Sequence, residues 1–439
     1  MKFKLLLISL LFIALNSCNS KDSEPQTEDE QETPESRKPN ILLIIADDMG
    51  VDASLGYPDI GIRKPNMPNL QNMINSGITF NNVWAAPSCA PTRAGIITGK
   101  YGFRTGVLTP GDVLSLNEKT LHEHLDTNNS GYSHAVIGKW HLSSEDSNPT
   151  DAGVGYYAGN VVGNFGTYDN WQFTENGVRT TSTEYITSKL TDLAIDWVDN
   201  QTKPWFLWLA YNTPHAPYHL PPADLHSNDH LSGNQADIDA NELDYYLTMI
   251  EAMDTEMGRL INSMTQAEKD NTVIIFLGDN GTPRSVIQEY PRGSAKGSVF
   301  EGGVNVPMVI SGKNVTRFNE TEDALINTTD LFNTISDLAS VQTSNENDSN
   351  SFKSLLTDSN SSIRNYLYSE NMRDTGIGYD YAIRNTTHKY IRFTDGSEAF
   401  YNIENTRLET NNLLSNELTE SEETIKNELV NTILEIRGE

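Results

Sequence analysis

Two short runs of oxygen-bearing side chains stand out in the 439-residue sequence. Asp47-Asp48 and Asp279-Asn280 each follow directly on a stretch of apolar residues. Four hard oxygen donors of this kind suit Ca2+ and, less often, Mg2+. A lone Asp-Asp pair is usually a turn or a helix cap, but two pairs, each closing an apolar run, point to a metal. Cys89 is the second notable residue. The only other cysteine is Cys18, which closes a leader-like segment, so Cys89 has no intramolecular partner. A solitary thiol in an exported chain needs a reason other than a disulfide. The third signal is charge. With 31 Lys+Arg against 60 Asp+Glu, the net charge is −29. That balance excludes nucleic acid, whose phosphates need a basic surface. It also makes each cation near a special motif informative.

The segment around Cys89 reads Pro87-Ser88-Cys89-Ala90-Pro91-Thr92-Arg93-Ala94-Gly95-Ile96-Ile97-Thr98-Gly99-Lys100. Cys-x-Pro-[Ser/Thr]-Arg, continued by a small-apolar helix and Thr-Gly, resembles the signature of the type I, formylglycine-dependent sulfatases of the alkaline phosphatase superfamily. The resemblance implies that a formylglycine-generating enzyme oxidises Cys89 to Cα-formylglycine (3-oxoalanine) before folding. An aldehyde hydrates to a geminal diol. One hydroxyl can attack sulfur, and deprotonation of the other expels sulfate, an exit that a serine lacks. A position just before a helix aims backbone N–H groups and the positive dipole end at an anion. Arg93, one helical turn on, can fix the diol with its planar fork.

Further motifs extend the resemblance. Gly138-Lys139-Trp140-His141 matches the family's Gly-Lys-Trp-His, implying that Lys139 binds sulfate and the diol while His141 accepts a proton, a role suited to imidazole. His215 in Thr-Pro-His-Ala-Pro matches Pro-His-x-Pro. Lys296 opens a Lys-Gly…Glu-Gly-Gly…Val-Pro stretch. By the same resemblance, His215 and Lys296 bind sulfate and protonate the leaving oxygen. The resemblance further implies that Asp47, Asp48, Asp279 and Asn280 hold one divalent cation, with the residue at Cys89 as a further ligand. His219 is a candidate for the substrate pocket, as are Arg384 and His388 further along. His122, His124, His226 and His230 read as structural or solvated. Departures are mild: Ser143 where glycine is usual, Met67 where threonine is usual, and no Asp-Pro before Glu409. They bear on subfamily, not on the reaction.

The elements that must position these residues are readable from hydrophobic pattern. Pro39–Ala46 and Thr272–Leu277 are apolar runs suited to strands buried on both faces. Trp205–Tyr211 and Ser133–Ile137 are two more, ending in Asn212-Thr213-Pro214-His215 and Gly138-Lys139-Trp140-His141. Helix spacing appears in Met67–Ser76, Thr183–Asn200 and Asn241–Met264. The alternation predicts an α/β fold with ligands at the carboxyl ends of a mostly parallel central sheet; the resemblance makes it an alkaline phosphatase-like sandwich. Asn345–Ser362, rich in Asn, Ser and Asp, reads as a linker. It leads to a small C-terminal α+β subdomain with strands at Tyr381–Arg384, Lys389–Phe393 and Ala399–Ile403, and a last helix over Glu417–Ile436.

Residues 1–17 have the form of a signal peptide, with Lys2 and Lys4 before an apolar run. Leu15-Asn16-Ser17-Cys18 resembles a lipobox, which makes Cys18 the lipidated mature N-terminus. Residues 18–39 read as an acidic, solvated tether, residues 40–344 as the catalytic domain, and 345–439 as linker plus subdomain. The expected protein is exported and anchored to the outer membrane by lipid alone, facing periplasm or exterior. Its expected reaction is S–O cleavage of a sulfate monoester on a carbohydrate. Two other readings remain open: a phosphonate or phosphate monoesterase using the same formylglycine, and an inactive glycan-binding surface lipoprotein.

Overall fold

A computed structural model describes residues 37–163, 165–343, 347–360, 362–372 and 378–438. The signal peptide, Cys18 and nearly all of the tether lie outside these residues. Among the described residues no helix is long and apolar enough to cross a membrane.

Ten strands make the main sheet: β1 (Asn40–Ala46), β2 (Gly77–Trp84), β3 (Ser133–Gly138), β4 (Tyr156–Gly159), β5 (Trp171–Glu175), β6 (Val178–Ser182), β7 (Trp205–Ala210), β8 (Thr272–Gly278), β9 (Met308–Gly312) and β10 (Glu320–Asn327). Their order is β10-β2-β9-β8-β1-β7-β3-β4-β5-β6. The centre, from β8 through β1, β7 and β3 to β4, is wholly parallel. The antiparallel pairings lie toward the flanks. The four strands expected from apolar runs are β1, β3, β7 and β8, and they are consecutive neighbours. Burial on both faces explains their composition. Ile41, Leu43 and Ile45 pack on one side with the helices Cys89–Thr98, Leu121–Thr127 and Leu331–Leu338. Leu42, Ile44 and Ala46 pack on the other with Pro68–Asn75, Ile186–Asp199 and Glu242–Ser263. Each large aliphatic side chain so buried contributes about 2 kcal/mol.

A second sheet of four antiparallel strands follows: β11 (Leu367–Met372), β12 (Tyr379–Arg384), β13 (His388–Arg392) and β14 (Glu398–Asn402). The helix Glu420–Arg437 packs on it. That helix opens with a capping box between Thr419 and Glu422 and ends at Gly438 in the left-handed conformation, which glycine adopts without strain. The linker reading of Asn345–Ser362 needs correction for the part described. Phe352, Leu355 and Leu356 are buried in the same core as β1. Asp348 accepts from Tyr101 N and Arg104 Nε. A polar composition hid three apolar anchors spaced along one short turn.

His122 shows how a buried polar residue is accommodated. Its Nδ1 lies 3.3 Å from His134 Nδ1, which also accepts from Gly155 N, while His134 Nε2 faces Asp126 at 3.0 Å. His134 Nδ1 is therefore an acceptor and His122 donates to it. His122 Nε2 is left buried without a partner, and the ring stacks on Phe206. Burial, reinforced by His134, holds the His122 pKa well below its ordinary 6.5. As pH falls through about 6.5 the unfolded chain takes up a proton that the folded chain refuses, so stability is lost toward acid by up to about 1.4 kcal/mol per pH unit. The thermal midpoint is expected to fall between about pH 7 and about pH 5, and His122→Gln is expected to flatten that slope. An equally steep slope in the variant would exclude His122 as its source.

Candidate active site

The carboxyl ends of β8, β1, β7 and β3 gather the chemistry. β1 and β8 are paired so that Ala46 faces Gly278, which sets Asp47-Asp48 beside Asp279-Asn280. Asp279 N donates to Ala46 O and Asp48 N donates to Asp279 Oδ1 at 3.0 Å. All four residues are buried. Cys89 is the first residue of its helix, every residue of which is buried. A helix buried on every side sits inside a large core, and its one charged residue, Arg93, is paired there. Its chain enters from β2, and Gly297 N donates to Pro87 O, tying the cysteine turn to the Lys296 loop.

Three carboxylates meet three cations here. Arg93 sends Nε and Nη2 to Asp279 Oδ2 (3.2 and 2.7 Å) and Nη1 to Lys139 O (2.7 Å). Lys139 Nζ reaches Asp47 Oδ2 at 2.6 Å, and Lys296 Nζ reaches Asp48 Oδ1 at 2.5 Å. His215 Nε2 stands 3.8 Å from Asp48 Oδ2, with its Nδ1 on Ala216 O at 2.6 Å. Burial pushes the Asp47 carboxyl up, but Lys139, His215, Arg93 and Lys296 outweigh it and hold the group well below the carboxylate range. Asp279 moves the other way, raised by burial and by Asp47 against the pull of Arg93. His141 is held well below the usual imidazole range by burial and by Lys139 and Arg93. Burial pushes the Cys89 thiol up, so without modification it stays a neutral thiol, a poor nucleophile.

The donor set fits a cation. Asp47 Oδ1 and Asn280 Oδ1 are buried without any hydrogen-bond partner. Asn280 has turned its amide nitrogen to Asp48 Oδ1 and Gly281 O, which leaves the carbonyl oxygen to coordinate. Ligand atoms of Asp47, Asp48 and Cys89 lie within 4.8 Å of one another. An oxygen-rich cluster suits a hard dication, and an added positive charge compensates the two oxygens that are otherwise stranded.

His141 has a positive φ of 59°, and its N donates to Val161 O. Gly163 faces its ring: a Cβ there would lie 2.1 Å from His141 Cγ. Gly163→Ala is expected to displace the imidazole and slow turnover roughly 100-fold, the scale of an ångström-sized misplacement. Steady-state kinetics on an aryl sulfate check this; an unchanged kcat would mean that His141 is not part of the reaction.

The structure brings Asp47, Asp48, Cys89, Arg93, Lys139, His215, Lys296, Asp279 and Asn280 into one connected cluster. His219 stands apart, packed on Tyr168 with ring centroids 4.1 Å apart and its Nε2 3.0 Å from Tyr185 Oη. Arg384 and His388 lie on the second sheet, Arg384 facing Glu301. Three supporting residues had no motif to reveal them. Tyr168 Oη donates to Asn212 O and His215 O, fixing the His215 turn. Tyr246 Oη donates to Asp48 O. Thr282 Oγ1 accepts from Gly50 N and donates to Asp52 Oδ1, joining the loops that follow β1 and β8 from behind.

A mixed α/β sandwich with such a cluster at its strand ends is the architecture of the alkaline phosphatase-like proteins. The family model "Sulfatase" matches residues 39–341, and "N-sulphoglucosamine sulphohydrolase, C-terminal" matches 295–438. The chain belongs to the sulfatase family. It is 28% identical to the uncharacterized sulfatase YdeN of Escherichia coli over 365 residues, 69% of this chain and 63% of that protein. It is 26% identical to an ulvan-active sulfatase of Formosa agariphila over 400 residues, 88% of this chain and 72% of that one. Among solved structures, Ps i-CgsB in complex with k-i-k-neocarrahexaose superposes with a TM-score of 0.76 at 25% identity, covering 91% of this chain and 92% of that one. The chain spans less than two thirds of the length of several relatives, 53% for arylsulfatase J of Mus musculus.

Proposed function

We propose that this protein hydrolyses sulfate monoesters of carbohydrates at the S–O bond, using formylglycine made from Cys89 and a Ca2+ held by Asp47, Asp48, Asp279 and Asn280. The observation that carries the reading is the seat of Cys89: a buried helix N-terminus, facing three cations that balance three carboxylates. Hydrated formylglycine supplies a nucleophilic hydroxyl and a second one through which sulfate is released. The cation, when bound, polarises oxygen and offsets sulfate charge. The remaining work belongs to the chain's own side chains. Arg93, pinned on both sides, orients the group at position 89. Lys139 and Lys296 bind ester oxygens. His141 presents a buried Nδ1 with no protein partner, an open acceptor for a proton; burial, Lys139 and Arg93 oppose its protonation, and the negative charge of a bound sulfate would offset those two cations. His215 donates its Nδ1 proton to Ala216 O, which leaves Nε2, beside Asp48, as the atom that must first take up a second proton before it can pass one to the leaving oxygen.

The substrate class is a sulfated polysaccharide fragment. Support comes from the ulvan-active relative and the neocarrahexaose-bound neighbour. We place the enzyme outside the inner membrane, lipidated at Cys18, on the strength of the leader and lipobox pattern. The deciding experiment expresses the chain with a formylglycine-generating enzyme, measures the mass of the Cys89 peptide, and compares paired aryl sulfate and aryl phosphate substrates with and without chelator. The expected result is conversion of thiol to aldehyde, dominant sulfatase turnover, and loss on chelation that Ca2+ restores better than Mg2+. Dominant phosphatase turnover would replace the reaction. An unmodified thiol with retained glycan binding would leave a binding lipoprotein.

A further inference from the structure

Behind the active site lies a buried charged cluster that no step of the proposed reaction uses. Glu301 and Lys389 have no solvent exposure, and the Glu409 side chain has none either. Lys389 Nζ sits 3.2 Å from Glu301 Oε1, 2.8 Å from Glu409 Oε1, and 4.5 Å above the Trp84 ring. Trp84 Nε1 donates to Glu301 Oε1 (3.2 Å), and Glu301 N donates to Glu409 Oε2 (2.6 Å). Arg384 Nη1 approaches Glu301 Oε2 at 3.5 Å. Burying four charged groups is costly unless they are closely paired, so a cluster of this kind fixes geometry more than it adds stability.

What it fixes is the short helical turn Glu301–Val304. Gly303 O accepts from Gly281 N, the residue after Asn280, and Val304 O accepts from Ala85 N on the approach to Cys89. Gly281 is pressed so close to this turn that a Cβ would fall 1.9 Å from Gly302 O. The same turn follows Lys296 by five residues, and Lys296 N donates to Thr282 O. One turn thus touches the loop carrying Asn280, the loop carrying Cys89 and the loop carrying Lys296. The residues that hold it, Arg384, Lys389 and Glu409, all come from the second sheet and the segment after it.

We propose that Lys389, with Glu301 and Glu409, is a positioning device through which the C-terminal sheet aligns the cation ligand Asn280 and the anion-binding Lys296. This rests on the sulfatase reading for what the site does, but alignment itself is tested on protein without substrate. The variants are Glu409→Gln, which keeps an oxygen for Glu301 N, and Lys389→Met, which keeps length and removes charge. In the metal-free protein, hydrogen exchange of the 280–304 segment is expected to speed up in both while β1, β3 and β7 keep their protection. Calorimetric Ca2+ affinity is expected to fall roughly 10-fold, the scale of losing support behind a metal ligand, and kcat on an aryl sulfate to fall more than KM rises. If Lys389→Met does not fold, Glu409→Gln decides alone. A lower thermal midpoint with unchanged exchange at 280–304, unchanged Ca2+ affinity and unchanged kcat would overturn the proposal and leave the cluster purely structural. Failure of the reaction reading would show instead as wild-type protein that binds Ca2+ without turning over sulfate esters.

Discussion

Cys89→Ala is expected to lower aryl sulfate hydrolysis by on the order of 10⁴-fold or more, the scale of removing a nucleophile from other hydrolases, while the protein keeps its fold. Alanine suits the first position of a wholly buried helix, and the cavity it leaves is one sulfur atom in size. The cation site is expected to survive with weakened affinity, because the oxygens of Asp47, Asp48, Asp279 and Asn280 remain. Two companion samples sharpen the result. Wild-type protein made without the maturation enzyme is expected to be about as inactive as the variant, since burial keeps the Cys89 thiol protonated. Cys89→Ser is expected to give at most one turnover per chain, because a serine hydroxyl can take sulfate but has no second oxygen through which to release it. Burst kinetics and Ca2+ calorimetry check all three. Cys89→Ala retaining more than about a hundredth of wild-type kcat would remove the nucleophile from the proposed mechanism.

The parts of this site legible in the sequence are those where one strand end carries its own chemistry. β1, β3, β7 and β8 are continuous apolar runs because they are buried on both faces, and each ends in residues too polar to continue the strand. That coincidence marks Asp47, Lys139, His215 and Asp279 in the sequence itself. β2 and β10 carry no continuous apolar run because their sequences mix polar with apolar residues; β10, Glu320–Asn327, is half exposed along its length, and the apolar stretch of β9 is only three residues long. Supporting residues were invisible for a different reason. Tyr168 and Gly163 lie in the segment Ser143–Asn176, whose conformation depends on what it packs against and not on any local pattern. Lys389 and Glu409 are ordinary charges in an acidic chain until the fold buries them on Glu301. Long-range pairing of this kind has no period and no spacing to read.

Arg93 offers the second large effect, and it separates a structural from a chemical role. Its guanidinium has five N–H donors. Three bonds are spent on Asp279 Oδ2 and Lys139 O, so two donors remain for the group one turn back at position 89. Arg93→Met is expected to cost about 3–5 kcal/mol, because it strands the fully buried Asp279 carboxylate. Asp279 is already pushed up by burial and by Asp47, and without Arg93 it would take a proton near neutrality. That would also weaken the cation site, since a protonated carboxyl is a poor ligand. Arg93→Lys keeps the charge beside Asp279 but loses the fork that binds Asp279 and Lys139 O together and the two donors left over for position 89. It is expected to recover most of the thermal midpoint and of the Ca2+ affinity, yet to leave kcat roughly 100-fold down, the scale of losing one aimed donor in a preorganised site. If lysine restores stability and kcat alike, Arg93 serves only to neutralise Asp279, and the orientation of the nucleophile must come from Lys139.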